Sequence, residues 1–204
     1  MNFRTEQESF WAGTFGKDYI KRNNSEQLLS SKVALWARML RSAHGVGSIR
    51  EFGCNIGLNL LALKRLRPDL ALSGIEINRT AADEAAALGV AEIRNGTILD
   101  PVADSPVDLT FTSGVLIHIS PEFLEAVYDN LVNNSRRYVL VAEYYNPVPM
   151  SVPYRGHADR LFKRDFAGDL IDRYGLKLLD YGFVYKRDSW CPQDDVTWFL
   201  LEKG

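Results

Sequence analysis

Residues 48–57, Ser48-Ile49-Arg50-Glu51-Phe52-Gly53-Cys54-Asn55-Ile56-Gly57, predict a short strand that enters a glycine-marked turn and then a helix. Nineteen residues beyond Gly57 stands Glu76, at the end of a second apolar run, Leu70-Ala71-Leu72-Ser73-Gly74-Ile75-Glu76. A strand, a glycine turn, a helix and a second strand closing on an acid form the pattern by which α/β chains hold a nucleoside. Glycine lets the backbone approach a ligand that a Cβ would block. The carboxylate of Glu76 is able to accept hydrogen bonds from both hydroxyls of a ribose. Its setting, Gly74-Ile75-Glu76-Ile77-Asn78, puts the acid between apolar residues where the carboxyl edge of a sheet opens.

Working outward from this segment, residues 25–43 carry Leu28, Leu29, Val33, Trp36, Met39 and Leu40 at helical spacing. A helix from Gly57 to Leu66 stops before Pro68, and one from Arg79 to Leu88 has Asn78 as its cap and Gly89 as its stop. Val90–Arg94 and Val107–Phe111 predict a third and a fourth strand, and Ser120-Pro121 a helix start. Tyr138–Tyr145 reads as a buried central strand. The prolines at 147, 149 and 153 predict an irregular stretch from Asn146 to Gly156, and Phe162 to Tyr174 a last helix. Residues 176–185 and 195–202 then predict an antiparallel hairpin. The expectation is an α/β, doubly wound, seven-stranded sheet with that hairpin at its edge.

The composition fits a single soluble domain. The 204 residues are 46% hydrophobic and 25% charged, with a net charge of −2, which gives no drive towards nucleic acid or an anionic membrane. Cys54 and Cys191 belong to no Cys/His cluster, so no metal site is expected and a reducing, cytoplasmic setting is the default. The first ten residues lack the apolar core of a signal peptide, and no stretch is long enough to span a membrane. A monomer or a homodimer is expected.

A seven-stranded alternation that ends in a hairpin resembles the class I S-adenosylmethionine-dependent methyltransferases over most of the chain. The resemblance implies a small-molecule methyltransferase with S-adenosyl-L-methionine as cofactor and S-adenosyl-L-homocysteine as product. The first turn of that superfamily reads acid-x-Gly-x-Gly-x-Gly. Here Glu51, Gly53 and Gly57 match it, while Asn55 replaces the middle glycine. By resemblance, Glu51 meets the amino group of the methionyl part, Gly53 makes the close approach and Ile77 packs on the adenine. After the third strand the family commonly has Gly-Asp, whose Asp reads the adenine amino group. Gly96-Thr97 stands there instead, so recognition is expected to lean on the backbone around Ile98 and on Asn95. The resemblance further implies that Ser113 and Gly114, after the fourth strand, lie under the sulfonium and that His118 is a base or an orienting group, with capping of the following helix as the alternative.

Two further stretches carry candidate site residues. Residues 10–23 are rich in aromatics and glycine and suit a lid within an N-terminal part (1–45), with Tyr19 and Arg22 reaching the methionine carboxylate. The stretch from about 144 to 160, within the Rossmann-like core (46–204), suits an acceptor loop. It offers Tyr145 and His157 for catalysis and Tyr144, Asn146, Tyr154, Arg155 and Arg160 for binding. Arg155, His157 and Arg160 together suit an anionic acceptor. Three segments resemble the methylases associated with pseudaminic acid biosynthesis: Phe15–Tyr19 with Arg22-Asn23, Glu51–Asn59, and Glu143–Pro147 with Pro153–His157. That resemblance implies a nonulosonic sugar acid or a nucleotide sugar as acceptor, and hence a place in sugar biosynthesis. Two other classes fit parts of the pattern. An NAD-dependent oxidoreductase also uses an acid such as Glu76, against which stand the hairpin and the missing third glycine. A methyltransferase-like binding protein without chemistry is the other, against which stand the intact turn and the polar residues of the acceptor stretch.

Overall fold

The computed structural model describes residues 3–13, Gly16, 25–154 and 157–204, with residues 154 and 157–160 as backbone. Two helices precede the sheet: α1 (Glu6–Ala12), capped by the Thr5 hydroxyl, and α2 (Glu26–Met39), capped by Ser25. The alternating core follows as β1 (Ser48–Phe52), α3 (Leu58–Leu66), β2 (Ala71–Glu76), α4 (Arg79–Ala87) and β3 (Glu92–Asn95). After β4 (Val107–Ser113) come two 3-10 turns, Leu116–His118 and Pro121–Phe123, and then α5 (Leu124–Asn133) and β5 (Ser135–Glu143). The Ser120-Pro121 start thus opens a 3-10 turn that feeds the helix. The chain ends with β6 (Met150–Tyr154), β7 (His157–Lys163), α6 (Phe166–Tyr174), β8 (Lys177–Val184) and β9 (Val196–Glu202). Among the described residues no helix is long and apolar enough to cross a membrane.

Seven strands form one sheet in the order β3-β2-β1-β4-β5-β9-β8. The first five are mutually parallel, and β9 runs antiparallel to both β5 and β8. This is the expected Rossmann-like sheet with its C-terminal hairpin. The core has two halves, one on each face. Along β5, Tyr138, Leu140 and Ala142 enter the half built with α2 and α3, whereas Val139 and Val141 enter the half built with α5 and α6. A strand covered on both faces has to be apolar at every position, which accounts for its continuous run. The strand order reverses between β1 and β4. A crevice opens there beyond the carboxyl ends of these neighbours, and it lies between the glycine turn and Ser113-Gly114.

Residues 146–154 are more regular than their prolines predict. Asn146 closes a tight turn, its side-chain amide donating to the Val148 carbonyl at 2.5 Å. Met150, Ser151 and Val152 of β6 then pair with Lys163, Phe162 and Leu161 of β7. The ladder slips between Val152 and Tyr154, at Pro153, so the residue without an N–H stands at an irregularity of a two-stranded ribbon. Phe162, expected in the last helix, belongs to β7, and the helix starts at Phe166 behind its cap Asp165. Leu161 is buried in the core half of α5 and α6 and anchors the ribbon to it.

Candidate active site

The glycine turn is stapled to the strand beside it. The amides of Gly53 and Cys54 both donate to the Ile75 carbonyl, at 2.8 and 3.0 Å. Gly53 has φ +81°, and a Cβ there would lie 2.7 Å from a methyl of Val115. The residue is therefore held to glycine by the segment after β4 as well as by its backbone. Asn55, at the place of the middle glycine, has φ +48°. Asparagine tolerates this left-handed region better than other side chains, so the substitution preserves the path of the turn.

Glu76 locks the turn to the end of β2. One carboxylate oxygen accepts from the Asn55 amide and the other from the Asn78 amide, both at 2.8 Å. Burial raises its pKa, and the hydrogen bonds from Asn78, Asn55 and Ile77 oppose the rise. Glu51 is only 1% exposed. Its Oε1 accepts from the Asn59 side-chain amide at 2.6 Å, the Asn59 oxygen accepts from Lys32 Nζ at 2.8 Å, and its Oε2 has no partner among the described residues. Desolvation pushes the Glu51 carboxyl up to about 8 against the pull of Asn59 and Lys32. The same burial lowers the Lys32 ammonium, opposed by Glu51 and Asp194.

All of these groups line one cavity of about 460 Å³, together with Ile77, Thr97, Ile98, Ser113, Gly114, His118 and Tyr144. Its size is that of a small-molecule site. Further walls come from both sides of the chain: Trp11 of α1, Leu28 and Lys32 of α2, and Gln193 and Asp194 of the β8–β9 connection. Gln193 ties that connection to α2, donating to the Ser31 carbonyl at 3.2 Å. His118 ends the first 3-10 turn and is buried, with its ring 4.6 Å from that of Trp11. Glu143, at the end of β5, holds this turn by accepting from the amides of Val115 and Leu116 at 3.1 Å.

The cavity thus gathers Glu51, Gly53, Asn55, Glu76, Ile77, Thr97, Ile98, Ser113, Gly114, His118 and Tyr144. Four candidates lie elsewhere. Gly57, expected against the cofactor, opens α3 with φ +78°, and a Cβ there would meet Ala85 and Leu88 at 3.2 Å, so it serves helix packing. Gly96 lies outside the lining, its amide donating to the Glu76 carbonyl at 2.9 Å. Tyr145 follows Tyr144 in extended chain and points away from the cavity; it is half-exposed, with its ring 5.9 Å from Phe199. Asn146 spends its side chain on the turn at Val148. Tyr19, Arg22 and Arg155 lie outside the described residues, and Tyr154, His157 and Arg160 are placed as backbone on the β6–β7 ribbon.

Glu8, Lys32, Asn59 and Asp194 are lining residues that sequence reasoning missed, whereas Trp11 belongs to the stretch expected as a lid. Lys32 left a trace, since it falls within the apolar stripe of α2, between Leu28 and Trp36. Glu8 and Asp194 stand far in sequence from the groups they meet, whereas Asn59 stands eight residues beyond Glu51, on the helix that follows the turn. Among the described residues, no group of three His, Cys, Asp or Glu side chains is disposed to hold a metal ion.

The sequence matches no family model and no curated protein. Solved structures do match. The magnesium protoporphyrin IX methyltransferase ChlM from Synechocystis PCC 6803, with bound S-adenosylhomocysteine, aligns with a TM-score of 0.72 at 11% identity, over 98% of this chain and 100% of its own. The chain has the class I methyltransferase fold. The O-methyltransferase of a trans-AT PKS multienzyme from Brevibacillus brevis, in complex with S-adenosyl-L-homocysteine, aligns at 0.67 and 13% identity, over 100% of this chain and 81% of its own. DesVI of Streptomyces venezuelae aligns at 0.65 and 12% identity, over 99% and 100%.

Proposed function

We propose that this chain is an S-adenosylmethionine-dependent methyltransferase acting on a small, anionic acceptor. The observation that carries the reading is the joining, in one cavity at the switch point, of the buried Glu76 carboxylate, the glycine turn and the half-satisfied Glu51 with the His118 ring. The residues present fit the cofactor. Glu76 is held by backbone amides at both oxygens and still presents acceptor positions to the ribose hydroxyls. Glu51 offers an unpartnered oxygen to a cationic amino group, and Lys32, two hydrogen bonds away through Asn59, offers a cation to a carboxylate.

S-adenosylmethionine, when bound, supplies an electrophilic methyl group on a sulfonium. The chain has to hold an acceptor lone pair in line with it and, for a hydroxyl acceptor, take up the proton. We assign the proton to His118, whose ring is steadied by Trp11 and whose turn is fixed by Glu143. Val115, Ile117, Ile119 and Trp11 supply apolar wall that keeps water from the reacting groups. The reading of a lid within residues 1–45 is supported by the part Trp11 of α1 takes in the cavity, and the acceptor role of the 144–160 stretch by Tyr144.

For the acceptor we infer a nonulosonic, pseudaminic-type sugar acid or its nucleotide-activated form. This rests on the three sequence segments and on Arg155, His157 and Arg160. The named neighbours are at most 13% identical to this chain, so their likeness supports the fold and leaves the acceptor to this chain's own residues. Titration calorimetry with S-adenosylhomocysteine and with NAD tests the class. Binding of the former alone is expected, and binding of NAD alone would overturn the reading. Mass spectrometry of sugar-acid pools incubated with labelled cofactor then tests the acceptor, for which a labelled nonulosonic acid is the expected product.

A further inference from the structure

The positions directly after β3, Gly96-Thr97-Ile98, carry no acid, Asp100 beyond them is exposed, paired with Arg4 and outside the cavity lining, and the polar side chains at hand are already engaged. The Thr97 hydroxyl donates to Glu8 Oε1 and accepts from the Leu99 amide at 3.0 Å. The Asn95 side-chain amide donates to the carbonyls of Glu76 and Ile77, at 2.8 and 3.1 Å. Neither is placed to take the part of the missing aspartate. Glu8 brings a carboxylate to the same spot from the other end of the sequence. It is 7% exposed, lines the cavity beside Thr97 and Ile98, and its Oε2 accepts from the Arg4 amide at 2.7 Å. A carboxylate has about four acceptor positions, and these two bonds leave others open. The helix that carries it is fixed twice, by the Thr5 cap at 2.9 Å and by Asn78, whose side-chain amide donates to the Trp11 carbonyl at 2.9 Å. Asn78 also belongs to the segment that holds Glu76, so α1 and the nucleoside wall are one framework.

Resting on the methyl-donor reading above, we infer that Glu8 reads the exocyclic amino group of the adenine, so that α1 supplies the acid the β3 turn does not. An ionised carboxylate only accepts hydrogen bonds, and the adenine amino group only donates. A purine with a 6-oxo group in that position turns an acceptor towards an acceptor. A buried polar group left facing the wrong partner discriminates strongly.

Calorimetry with S-adenosylhomocysteine and S-inosylhomocysteine, which differ at purine position 6, tests this. The wild-type protein should prefer the adenine form by at least about tenfold. Glu8→Gln keeps an oxygen for the Thr97 hydroxyl and adds an N–H₂ donor, so the preference should shrink to within about threefold or invert. A folded Glu8→Gln protein that keeps the wild-type preference would overturn the assignment. So would equal affinity of the wild-type protein for the two ligands, which needs no variant. If the wild-type protein binds neither ligand, the methyl-donor reading itself falls and takes this inference with it.

Discussion

Two carboxylates close the carboxyl edge of the sheet, and they differ in what holds them. Glu76 has a backbone amide on each oxygen, whereas Glu51 has, among the described residues, one side-chain partner and one unpartnered oxygen. The first is preorganised before any ligand arrives, and the second keeps an unmet demand that a cationic group satisfies. His118 is different again, since its ring is packed on Trp11 and its place is set by Glu143 through the backbone. If it removes the acceptor proton, His118→Asn should lower kcat by about a hundredfold or more while the affinity for S-adenosylhomocysteine stays within about threefold. Steady-state turnover beside calorimetry checks both halves, and undiminished turnover would return the ring to a packing role.

Among the elements, the turn between β1 and α3 shows how one sequence motif divides its labour. Gly53 and Asn55 face the cavity, while Gly57 faces α4. Gly57→Ala therefore places a methyl group at a left-handed φ and against Ala85, and it should destabilise the protein by about 1–3 kcal/mol. Urea unfolding measures this, and an unchanged midpoint and slope would refute the packing role. The turn and Glu76 were legible in the sequence because a strand, a tight turn and a helix are local events with strong residue preferences. The β6–β7 ribbon was not, since Pro153 reads as a breaker unless a slipped register takes up the missing N–H. The split between Tyr144 and Tyr145 depends on which residue ends β5, a parity that apolar composition on both faces conceals. Glu8 and Lys32 carry no local mark of their partners, because Thr97 and Glu51 reach them only through the tertiary fold.

At the scale of the molecule, buried acids set the pH response. The Glu51 and Glu143 carboxyls are raised by desolvation from 4.5 to about 8 and about 7. Folded values above the unfolded one mean that folding favours the protonated forms. The associated stability is complete below pH 4.5 and is lost as pH rises through 7 and then 8. Without ligand, stability should fall across that window, and Glu51→Gln and Glu143→Gln should each flatten the fall. Lys32, lowered by burial, acts in the opposite sense at higher pH, so the comparison of variants with wild type is the readout. Denaturant midpoints at a series of pH values supply it, and slopes identical to wild type would rule the two acids out.

The contact between Gln193 and Ser31 spans most of the chain, and β9, which it precedes, fills the gap between β5 and β8. During synthesis, the glycine turn, β2 and Glu76 emerge within the first half of the chain, yet the wall bearing Gln193 and Asp194 arrives more than a hundred residues later. Such long-range closure is slow relative to local folding. Competence to bind is therefore acquired late in folding, and a ribosome-bound chain stalled before the β8–β9 connection would display the nucleoside-gripping turn on a cavity still open on one side.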